Sequence, residues 1–584
     1  MKSKRLLVDF FKETWHIYFF SILFHLIANI IHVQFPRVLR DFTDELQAGH
    51  LTQEAVVNYS WLLLGIGAGF ALIGGLAQYL VMYVGRLFEF LTRRKLFNHF
   101  TGLSESFYSK NGVGKLLSYF MNDVTAVRES ISMGVNQTAG ATILLISVIT
   151  MLVLSDIPYD LIIACMLPLI LIPFIVVKLG PVIRKRSLKV QESLAQMTES
   201  AEEQFGGIRV TKKFAVEPIM NRRFGETVDR IRDNQLNLVR VSSFFQALIP
   251  FLGALSLIIA LALGGYLTIA KEITLGGFVA LTLYIRMLMN PLQQIGNVIN
   301  TMQRSRASLE RLNDLLSKQP DIKQFKDALS LDFQHAGIHI HHLSFSYEES
   351  SKEALRNINL DIKPGTMLGI VGRTGSGKTT LMKLLLRTYD PPAGTIWFNE
   401  TDIRDLTLES LRRQIAYVPQ DGFLFSTTIR ENIAFYRREA LLEEVEDAAQ
   451  KAQIYSNIID FPDRFDTKLG ERGVTLSGGQ RQRTSLARGI IKNSPIMILD
   501  DSVSAVDAVT ETDIMESIRA SRIGKTTILI ANRISALKHA DEIIVMDEGE
   551  IVQRGTHEKL LAQEGLYATL HAIQEEGSHH AAGH

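Results

Sequence analysis

The sequence predicts a helical membrane-spanning domain followed by an α/β domain with a mainly parallel sheet. In the first part of the chain, apolar runs each approach the roughly 20 residues that cross a bilayer as a helix. In the second part, short β-rich runs alternate with helical patterns, which is typical of a parallel sheet covered by helices. A chain of 584 residues is also too long for one ordinary domain. We expect domains at residues 1–320 and 321–576, and we expect residues 577–584 to form a tail outside both domains that partly resembles a tag remnant.

Six apolar runs are long enough to be membrane spans. A turn at residues 155–158 divides what would otherwise be one overlong run. The spans are predicted at residues 16–35, 57–84, 133–154, 159–177, 244–269 and 275–291.

The distribution of basic residues predicts the orientation of these spans. Lys and Arg are concentrated in the connections between spans two and three and between spans four and five, whereas the opposite loops are short and acidic, with Asp41, Asp44, Glu45 and Asp156. Because cytoplasmic loops carry the excess of Lys and Arg, both termini are expected in the cytoplasm. The two basic connections are expected to extend the spans as helices. The chain is thus predicted to be a multi-pass protein of the cell membrane, in contact with the lipid bilayer.

Charge and cysteine content exclude other classes of function. The formal net charge is +1, so no overall positive field favours nucleic acid. Cys165 is the only cysteine, which excludes an intramolecular disulfide and leaves no cysteine metal-site spacing.

A phosphate-binding loop is predicted at Gly372-Arg-Thr-Gly-Ser-Gly-Lys-Thr379, between a predicted strand and a predicted helix. Glycines there let backbone N–H groups surround phosphates at the positive end of a helix dipole. The pattern gives Lys378 a phosphate contact and Thr379 a Mg²⁺ contact. Strands are predicted at residues 338–347, 367–371, 415–418, 496–500, 526–531 and 542–546. The strand at 496–500 ends in Asp500, which suits Mg²⁺ coordination through water.

With these motifs in order, the chain resembles half of an ABC transporter of the exporter type. The resemblance covers nearly the whole chain. It rests on the phosphate-binding loop, on Leu476-Ser-Gly-Gly-Gln480, which resembles the signature loop and is preceded by residues 470–473, and on Ser504-Ala-Val-Asp507, which resembles the D-loop. Residues 107–112, continuing to Asn122 and Asp123, and residues 206–213 resemble the two cytoplasmic coupling segments. The implied fold is an α-helical transmembrane domain of ABC exporter type followed by an α/β P-loop NTPase domain of ABC ATPase type.

The resemblance implies ATP and Mg²⁺ as cofactors and assigns roles by position. Tyr347 would stack on adenine, and Gln420 would act as the Q-loop glutamine. Nucleotide contacts would come from Gly372, Arg373, Thr374, Gly375, Ser376, Gly377, Lys378, Thr379 and Thr380. Mg²⁺ would be held by Thr379, Gln420 and Asp500. The partner's ATP would be contacted by Ser477, Gly478, Gly479 and Gln480, with Asp507 in the D-loop.

Two positions depart from the family pattern. Asp501 stands where most members have the Glu expected to act as general base, and Asn532 stands where most have the switch His. Aspartate is one methylene shorter, and an asparagine amide donates a hydrogen bond but cannot carry a proton. We therefore expect a catalytic set of Asp501, Asn532 and Gln420 that binds ATP but turns it over slowly.

An intact signature loop beside a degenerate site is typical, in this family, of one half of an asymmetric heterodimer. The resemblance then implies a second half-transporter as partner, hydrolysis mainly at the partner's site, and a small amphipathic substrate such as a drug. A lipid flippase or peptide exporter, a non-transporting subunit clamped by ATP, and a slow homodimer remain open alternatives.

Polar residues within the spans are candidates for the transport pathway. Interhelical hydrogen bonding is the favoured explanation for each one alone. The candidates are His25, Asn29, His32, Gln78, Asn136, Gln137, Arg286 and Asn290, with Phe244, Phe245, Phe251, Met287 and Met289 as apolar contacts.

Overall fold

The computed structural model describes residues 5–322, 328–330, 337–347, 350, 352–470 and 476–582, and their side chains except at residues 5, 290, 293–297, 299, 300 and 576–582. The chain forms two compact units. The first comprises residues 1–102 and 111–319, and the second comprises residues 103–110 and 320–584.

The first unit is helical. Between residues 5 and 317 the α-helices are α1 (Arg5–Gln47), α2 (Gln53–Thr101), α3 (Glu105–Asn111), α4 (Val113–Ser118), α5 (Val124–Glu129), α6 (Val135–Val153), α7 (Tyr159–Gly206), α8 (Ile208–Phe214), α9 (Glu217–Ile259), α10 (Gly265–Ile269) and α11 (Leu275–Ser317). Of these, α3 lies almost wholly within the second unit.

Apolar side chains from several of these helices form the core of the first unit. Leu281, Ile285 and Leu288 follow one another on a buried face of α11, at the spacing of helical turns. Tyr284 lies beside them and donates a hydrogen bond from its hydroxyl to the carbonyl of Val33, at 3.3 Å. This bond ties α11 to α1.

Helices lie at all six positions predicted as spans, and the turn at residues 155–158 does separate α6 from α7. Five helical stretches in the described part of the chain are long and apolar enough to cross a membrane, and the apolar segment Leu275–Met289 of α11 is shorter. The helices extend well beyond the apolar runs because polar residues continue them. Wide π-helical turns, which the sequence analysis did not predict, interrupt the described helices at Tyr119–Asp123, Ser130–Gly134 and Ala260–Gly264.

The acidic residues Asp41, Asp44 and Glu45 were expected in a loop, and this was wrong. They lie in the last turns of α1, which continues through Pro36 to Gln47. Asp44 accepts hydrogen bonds from Thr274 Oγ1 at 2.9 Å and from the backbone N–H of Gly276 at 2.8 Å. Its carboxylate therefore caps the start of α11, where unpaired backbone N–H groups favour an anion.

The described residues of the second unit form two sheets. A six-stranded sheet has the order β10-β9-β3-β8-β7-β6, with every neighbouring pair parallel except β9 and β10, and a four-stranded antiparallel sheet has the order β2-β1-β4-β5. The strands are β1 (Ile338–Phe345), β2 (Leu355–Ile362), β3 (Met367–Gly372), β4 (Ile396–Phe398), β5 (Thr401–Asp402), β6 (Ile415–Val418), β7 (Ile496–Asp500), β8 (Thr526–Ile530), β9 (Glu542–Asp547) and β10 (Glu550–Gly555).

Helices cover the six-stranded sheet, and β3, β7 and β8 are buried along their whole length. Complete burial is expected of parallel strands with helices on both faces. The helices are α12 (Lys378–Leu385), α13 (Leu408–Gln414), α14 (Ile429–Ile433), α15 (Leu442–Lys451), α16 (Tyr455–Ile459), α17 (Gly478–Ile491), α18 (Ala508–Ser521), α19 (Ile534–Leu537), α20 (His557–Leu561) and α21 (Leu566–Ala582).

The ends of the predicted strands agree with the observed ones to within two residues. The run predicted at 338–347 ends as a strand at Phe345, so Tyr347 follows the strand instead of lying in it. Four strands were not predicted from the sequence because they are short or alternate with exposed polar residues: β2, β4, β5 and β10. Most of residues 470–473, part of the polar linker after residue 315 and the end of the tail lie outside the described residues.

Candidate nucleotide-binding site

The predicted phosphate-binding loop joins β3 to α12. Its glycines are required by the local geometry: Gly375 and Gly377 have φ angles of +84° and +97°, which side chains disfavour. A Cβ on Gly377 would lie 2.7 Å from the carbonyl oxygen of Ala354, and one on Gly372 would overlap the carbonyl oxygen of Met546. The backbone can therefore form this tight loop only with glycine at these positions.

The polar side chains of the loop are arranged to receive an anion. Lys378 Nζ donates hydrogen bonds to the carbonyl oxygens of Gly372, at 2.8 Å, and Arg373, at 3.0 Å. Burial lowers the pKa of Lys378, and the charges of the two aspartates at 500 and 501 oppose that shift. The buried hydroxyl of Ser376 has no hydrogen-bond partner in the part of the chain that the structure describes. These groups, at the start of α12, fit the phosphates of a nucleotide.

Tyr347 lies beside the same helix. Its hydroxyl is 3.1 Å from Thr380 Oγ1, and its ring makes edge contacts with Phe345 and Tyr389, at centroid distances of 5.2 and 5.1 Å. The half-buried ring is thus held next to the phosphate-binding helix, as an adenine-stacking residue would need to be.

The two adjacent carboxylates have different surroundings. Asp500 ends β7 and accepts a hydrogen bond from the Tyr417 hydroxyl at 3.2 Å, and burial raises the pKa of Asp500. Asp501 Oδ2 accepts hydrogen bonds from Gln420 Nε2 at 3.3 Å and from Asn532 Nδ2 at 3.0 Å. The structure therefore brings together the three residues predicted as the catalytic set.

The backbone at Asp501 is in the left-handed region, with φ of +47°. Buried Gln482, on α17, holds this turn by donating a hydrogen bond to the Asp501 carbonyl at 2.9 Å and accepting one from the Ala505 N–H at 3.0 Å. Gln482 was not predicted from the sequence as a site residue. It could have been found from its place on the buried face of α17, just after the signature loop.

The signature loop is organised as a helix start. Ser477 and Gln480 form a capping box, in which Ser477 Oγ accepts from the Gln480 N–H at 3.3 Å and Gln480 Oε1 accepts from the Ser477 N–H at 2.9 Å. Ser477 and Gly478 are exposed. Asp507 caps α18 by accepting from the backbone and hydroxyl of Thr510. The loop thus presents an exposed helix N-terminus, with N–H groups available to an anion from outside the chain.

A half-buried arginine, Arg488, connects the signature helix to the segment after the Q-loop glutamine and was not predicted from the sequence. Arg488 donates to the carbonyls of Phe423 and Asn432 and to Asn432 Oδ1, each at 2.8 Å. Its guanidinium also lies over the rings of Phe425 and Phe435. Burial lowers the pKa of Arg488 to about 10. These contacts make α17 and the segment 423–435 one packed element.

The first predicted coupling segment contributes α3 to the second unit. Glu105 Oε1 is 3.3 Å from Lys383 Nζ on α12. Lys383 Nζ lies 5.9 Å from the centre of the Tyr389 ring, which contacts Tyr347. A chain of contacts therefore runs from α3 to the expected adenine-binding side chain.

A second contact fixes the start of α3. The hydroxyls of Ser104 and Ser106 both donate hydrogen bonds to the carboxylate of Asp321. Asp321 lies just after the end of the first unit, so the two stretches of chain that make up the second unit are joined here.

The first unit contains a cavity of about 470 Å³ between α1, α2, α6 and α11. Its lining gathers four of the polar residues predicted as pathway candidates, which are His25, Asn29, Asn136 and Gln137. The cavity therefore brings candidates from α1 and α6 to one place.

Other pathway candidates are accounted for by packing or by bonds between helices. His32 stacks on Phe70, with ring centres 4.2 Å apart, and Gln78 accepts a hydrogen bond from Asn136, which lines the cavity. The rings of Phe244 and Phe251 are exposed in the single chain, and the side chain of Asn290 lies outside the described residues.

Comparison with known proteins identifies the family. Residues 18–292 match the family described as "ABC transporter transmembrane region", and residues 355–504 match the family described as "ABC transporter". The chain belongs to the ABC transporter family. This exporter is 35% identical to the "Probable multidrug resistance ABC transporter ATP-binding/permease protein YheI" of Bacillus subtilis, over 97% of the chain and 96% of that protein.

Two further comparisons agree with this family assignment. The exporter is 34% identical to the "ATP-dependent lipid A-core flippase" of Syntrophus aciditrophicus, over 88% of the chain and 85% of that protein. It also superposes on the "Structure of a bacterial Atm1-family ABC exporter with ATP bound" with a TM-score of 0.80 and 26% identity, covering 96% of the chain and 99% of that structure. The predicted fold class, a helical transmembrane domain followed by an ABC ATPase domain, is confirmed. The exporter is a multi-pass membrane protein whose ATPase domain binds ATP and couples its hydrolysis to transport.

Proposed function

We propose that this chain is one half of a heterodimeric exporter of amphipathic compounds or drugs, similar to the BmrC half of the BmrCD exporter. In this proposal its own degenerate site binds ATP with Mg²⁺ and turns it over slowly. Its intact signature loop, Ser477 to Gln480, completes the partner's catalytic site. Both termini and the ATPase domain are cytoplasmic.

The observation that carries the proposal is the environment of Asp501. Its carboxylate is held by the amides of Gln420 and Asn532, at 3.3 and 3.0 Å. An aspartate reaches about one methylene less far than glutamate, and a misplacement of about 1 Å can reduce a rate on the order of a hundredfold. Asn532 donates a hydrogen bond but cannot carry a proton between groups. The site therefore retains its nucleotide-binding parts while lacking the usual proton-handling pair.

The signature loop supports the second half of the proposal. Its capping box is complete, and its first residues are exposed at the surface of the chain. A helix N-terminus in this arrangement can receive a phosphate presented by another subunit.

The names of the relatives support drug export as the first choice of substrate. Several of the similar proteins are named as multidrug exporters, from Bacillus subtilis and Staphylococcus aureus. The similarity to the lipid A-core flippase favours lipid transport as the second candidate. Assays of drug efflux and of lipid translocation on the same reconstituted preparation distinguish drug export from lipid transport.

The central experiment measures ATP hydrolysis by this chain alone and with candidate partners, using three variants of this chain. Ser477→Ala should depress turnover of the pair more than Asp501→Asn does, because Ser477 serves the partner's site. Lys378→Ala should weaken nucleotide binding by this chain. Ser477→Thr, which keeps a hydroxyl and a cap, is the matched control.

Equal losses from Ser477→Ala and Asp501→Asn would contradict the asymmetry. Rapid hydrolysis by a self-paired preparation, whose composition is checked by native mass measurement, would support a homodimer. A pair that binds ATP, but whose hydrolysis does not respond to any drug or lipid, would support the regulatory alternative.

A further inference from the structure

Two histidines and an aspartate form a cluster on the antiparallel sheet of the ATPase domain. His339 and His341 lie on β1 and Asp361 lies on β2, and one possible ligand atom from each lies within 4.8 Å of the other two. His339 Nδ1 is 2.8 Å from Asp361 Oδ1. The rings of His339 and His341 are nearly parallel, with 9° between their planes and 6.4 Å between their centres.

The hydrophobic core fixes the positions of these three residues. Ile340, between the two histidines, is completely buried, and Leu360 and Ile362, on either side of Asp361, are each 2% exposed. Because side chains alternate between the faces of a strand, burial of these neighbours directs both histidines and the aspartate to the opposite face. His339 and Asp361 are also direct partners in the β1–β2 register. A slip of one residue would expose the apolar set, so the packing specifies the cluster.

From this geometry we infer that His339, His341 and Asp361 form a binding site for a divalent transition-metal ion of the zinc class. Imidazole nitrogen and carboxylate oxygen are ligands that Zn²⁺ accepts at about 2.0–2.2 Å in tetrahedral geometry, so two ligands of one ion lie roughly 3.3–3.6 Å apart. The ligand atoms all lie within 4.8 Å of one another, so rotation of these surface side chains can bring His341 to that distance. The 2.8 Å contact between His339 Nδ1 and Asp361 Oδ1 would open slightly to admit the ion. Three protein ligands leave at least one position for water.

Two neighbouring residues bear on metal binding. Arg554 competes with the ion for Asp361, and His342 provides a control. Arg554, on β10, is a competing cation for Asp361: its hydrogen bond to Glu542 and, to a smaller extent, the charge of Asp361 raise the pKa of Arg554. Arg554 Nη2 is already bonded to Glu542 at 3.1 Å. His342, next on β1, has a φ of +47°, and its ring nitrogen bonds to Asn357 at 2.8 Å, so it is not part of the triad.

An ion at this site would join β1 to β2. β1 leads through Phe345 to Tyr347, so the joined strands are those that precede and follow the expected adenine-binding residue. Binding to the folded state alone raises the stability of the domain as the ion concentration rises above its dissociation constant. The site does not depend on the proposed heterodimer or on its substrate.

Titration of the purified full-length chain with Zn²⁺, without nucleotide, tests the inference. His579, His580 and His584 are replaced by Gln in every sample so that the tail does not bind metal. We expect one ion per chain by calorimetry, a rise in the thermal midpoint, and a visible absorption band when Co²⁺ replaces Zn²⁺.

Single substitutions assign the ion to the cluster. His341→Gln and Asp361→Asn should each weaken binding at least tenfold, whereas the matched control His342→Gln should not. Far-ultraviolet circular dichroism of each variant shows that the domain is still folded. Absence of saturable binding, or equal binding by His341→Gln and the parent, would overturn the inference.

Discussion

Asp501 combines an unusual backbone with an unusual side chain. Its φ of +47° is held by the bonds that its backbone makes with Gln482 and Ile530. Aspartate and asparagine adopt this left-handed region more readily than most residues. The residue that shortens the reach of the carboxylate thus also suits the turn.

Asp501→Glu should increase ATP hydrolysis at this site on the order of tenfold or more, because the longer side chain returns the carboxylate to the usual reach. The variant should also lower stability by about 1 kcal/mol, because glutamate tolerates the left-handed backbone less well. Steady-state phosphate release and the thermal midpoint measure the two effects. Asp501→Asn is the control, since it keeps the backbone preference without a base. Unchanged hydrolysis in both Asp501→Glu and its combination with Asn532→His would show that the slow turnover has another cause.

Asp500→Asn should raise the thermal midpoint of the nucleotide-free protein at neutral pH. Burial raises the pKa of Asp500 above its ordinary value of 3.8, so the folded state is penalised for keeping this carboxylate charged. The penalty is full above the folded-state pKa and disappears below 3.8, where the carboxyl is protonated in both states. The difference in thermal midpoint between the variant and the parent should therefore shrink as the pH falls. A midpoint that falls at neutral pH in the variant would contradict this account.

At the scale of elements, α3 contacts α12 beside the residue expected to stack on adenine. The side chains of Glu105 and Lys383 are 54% and 29% exposed, so their ion pair contributes little to stability. Its position, beside Tyr389 and Tyr347, suits a role in positioning α3 when nucleotide binds.

Glu105→Lys should reduce transport more than it reduces ATP hydrolysis, with a stability change below about 1 kcal/mol. Lys383→Glu should behave similarly, and the double exchange should restore most of the transport because it restores the opposite charges. Substrate uptake into inverted vesicles, divided by phosphate release from the same vesicles, gives the ratio of transport to ATP hydrolysis. If the double exchange is no better than the single variants, the pair has no coupling role.

Elements could be predicted from the sequence wherever one periodic signal was strong. The buried strands β6 and β7 were placed to the residue because continuous apolar runs end at turn residues. The short antiparallel strands and the π-helical turns were missed, because long-range pairing and a single wide turn leave little periodic signal. At the site, the phosphate-binding loop was found from local spacing. Gln482, Arg488 and Lys383 were missed because their partners are distant in sequence.

At the scale of the whole molecule, the orientation in the membrane follows from the basic connections and is a prediction. In a chain with Cys165→Ala, a cysteine at Asp156 should react with a membrane-impermeant maleimide added to intact cells, and a cysteine at Ser109 should react only after the membrane is opened. Both positions are exposed in the structure, so burial does not explain a difference. Labelling of the Ser109→Cys protein in intact cells would reverse the assignment.

The ATPase unit is assembled from two separate stretches of the chain, since residues 103–110 belong to it together with residues 320–584. A fragment that starts near residue 320 would therefore lack part of its own surface. It would lose the bonds that Glu105 makes to Lys383 and that Ser104 and Ser106 make to Asp321. A short peptide that carries residues 103–111 is then the natural complement for such a fragment, and a soluble two-piece reconstitution becomes a practical route to studying the domain outside the bilayer.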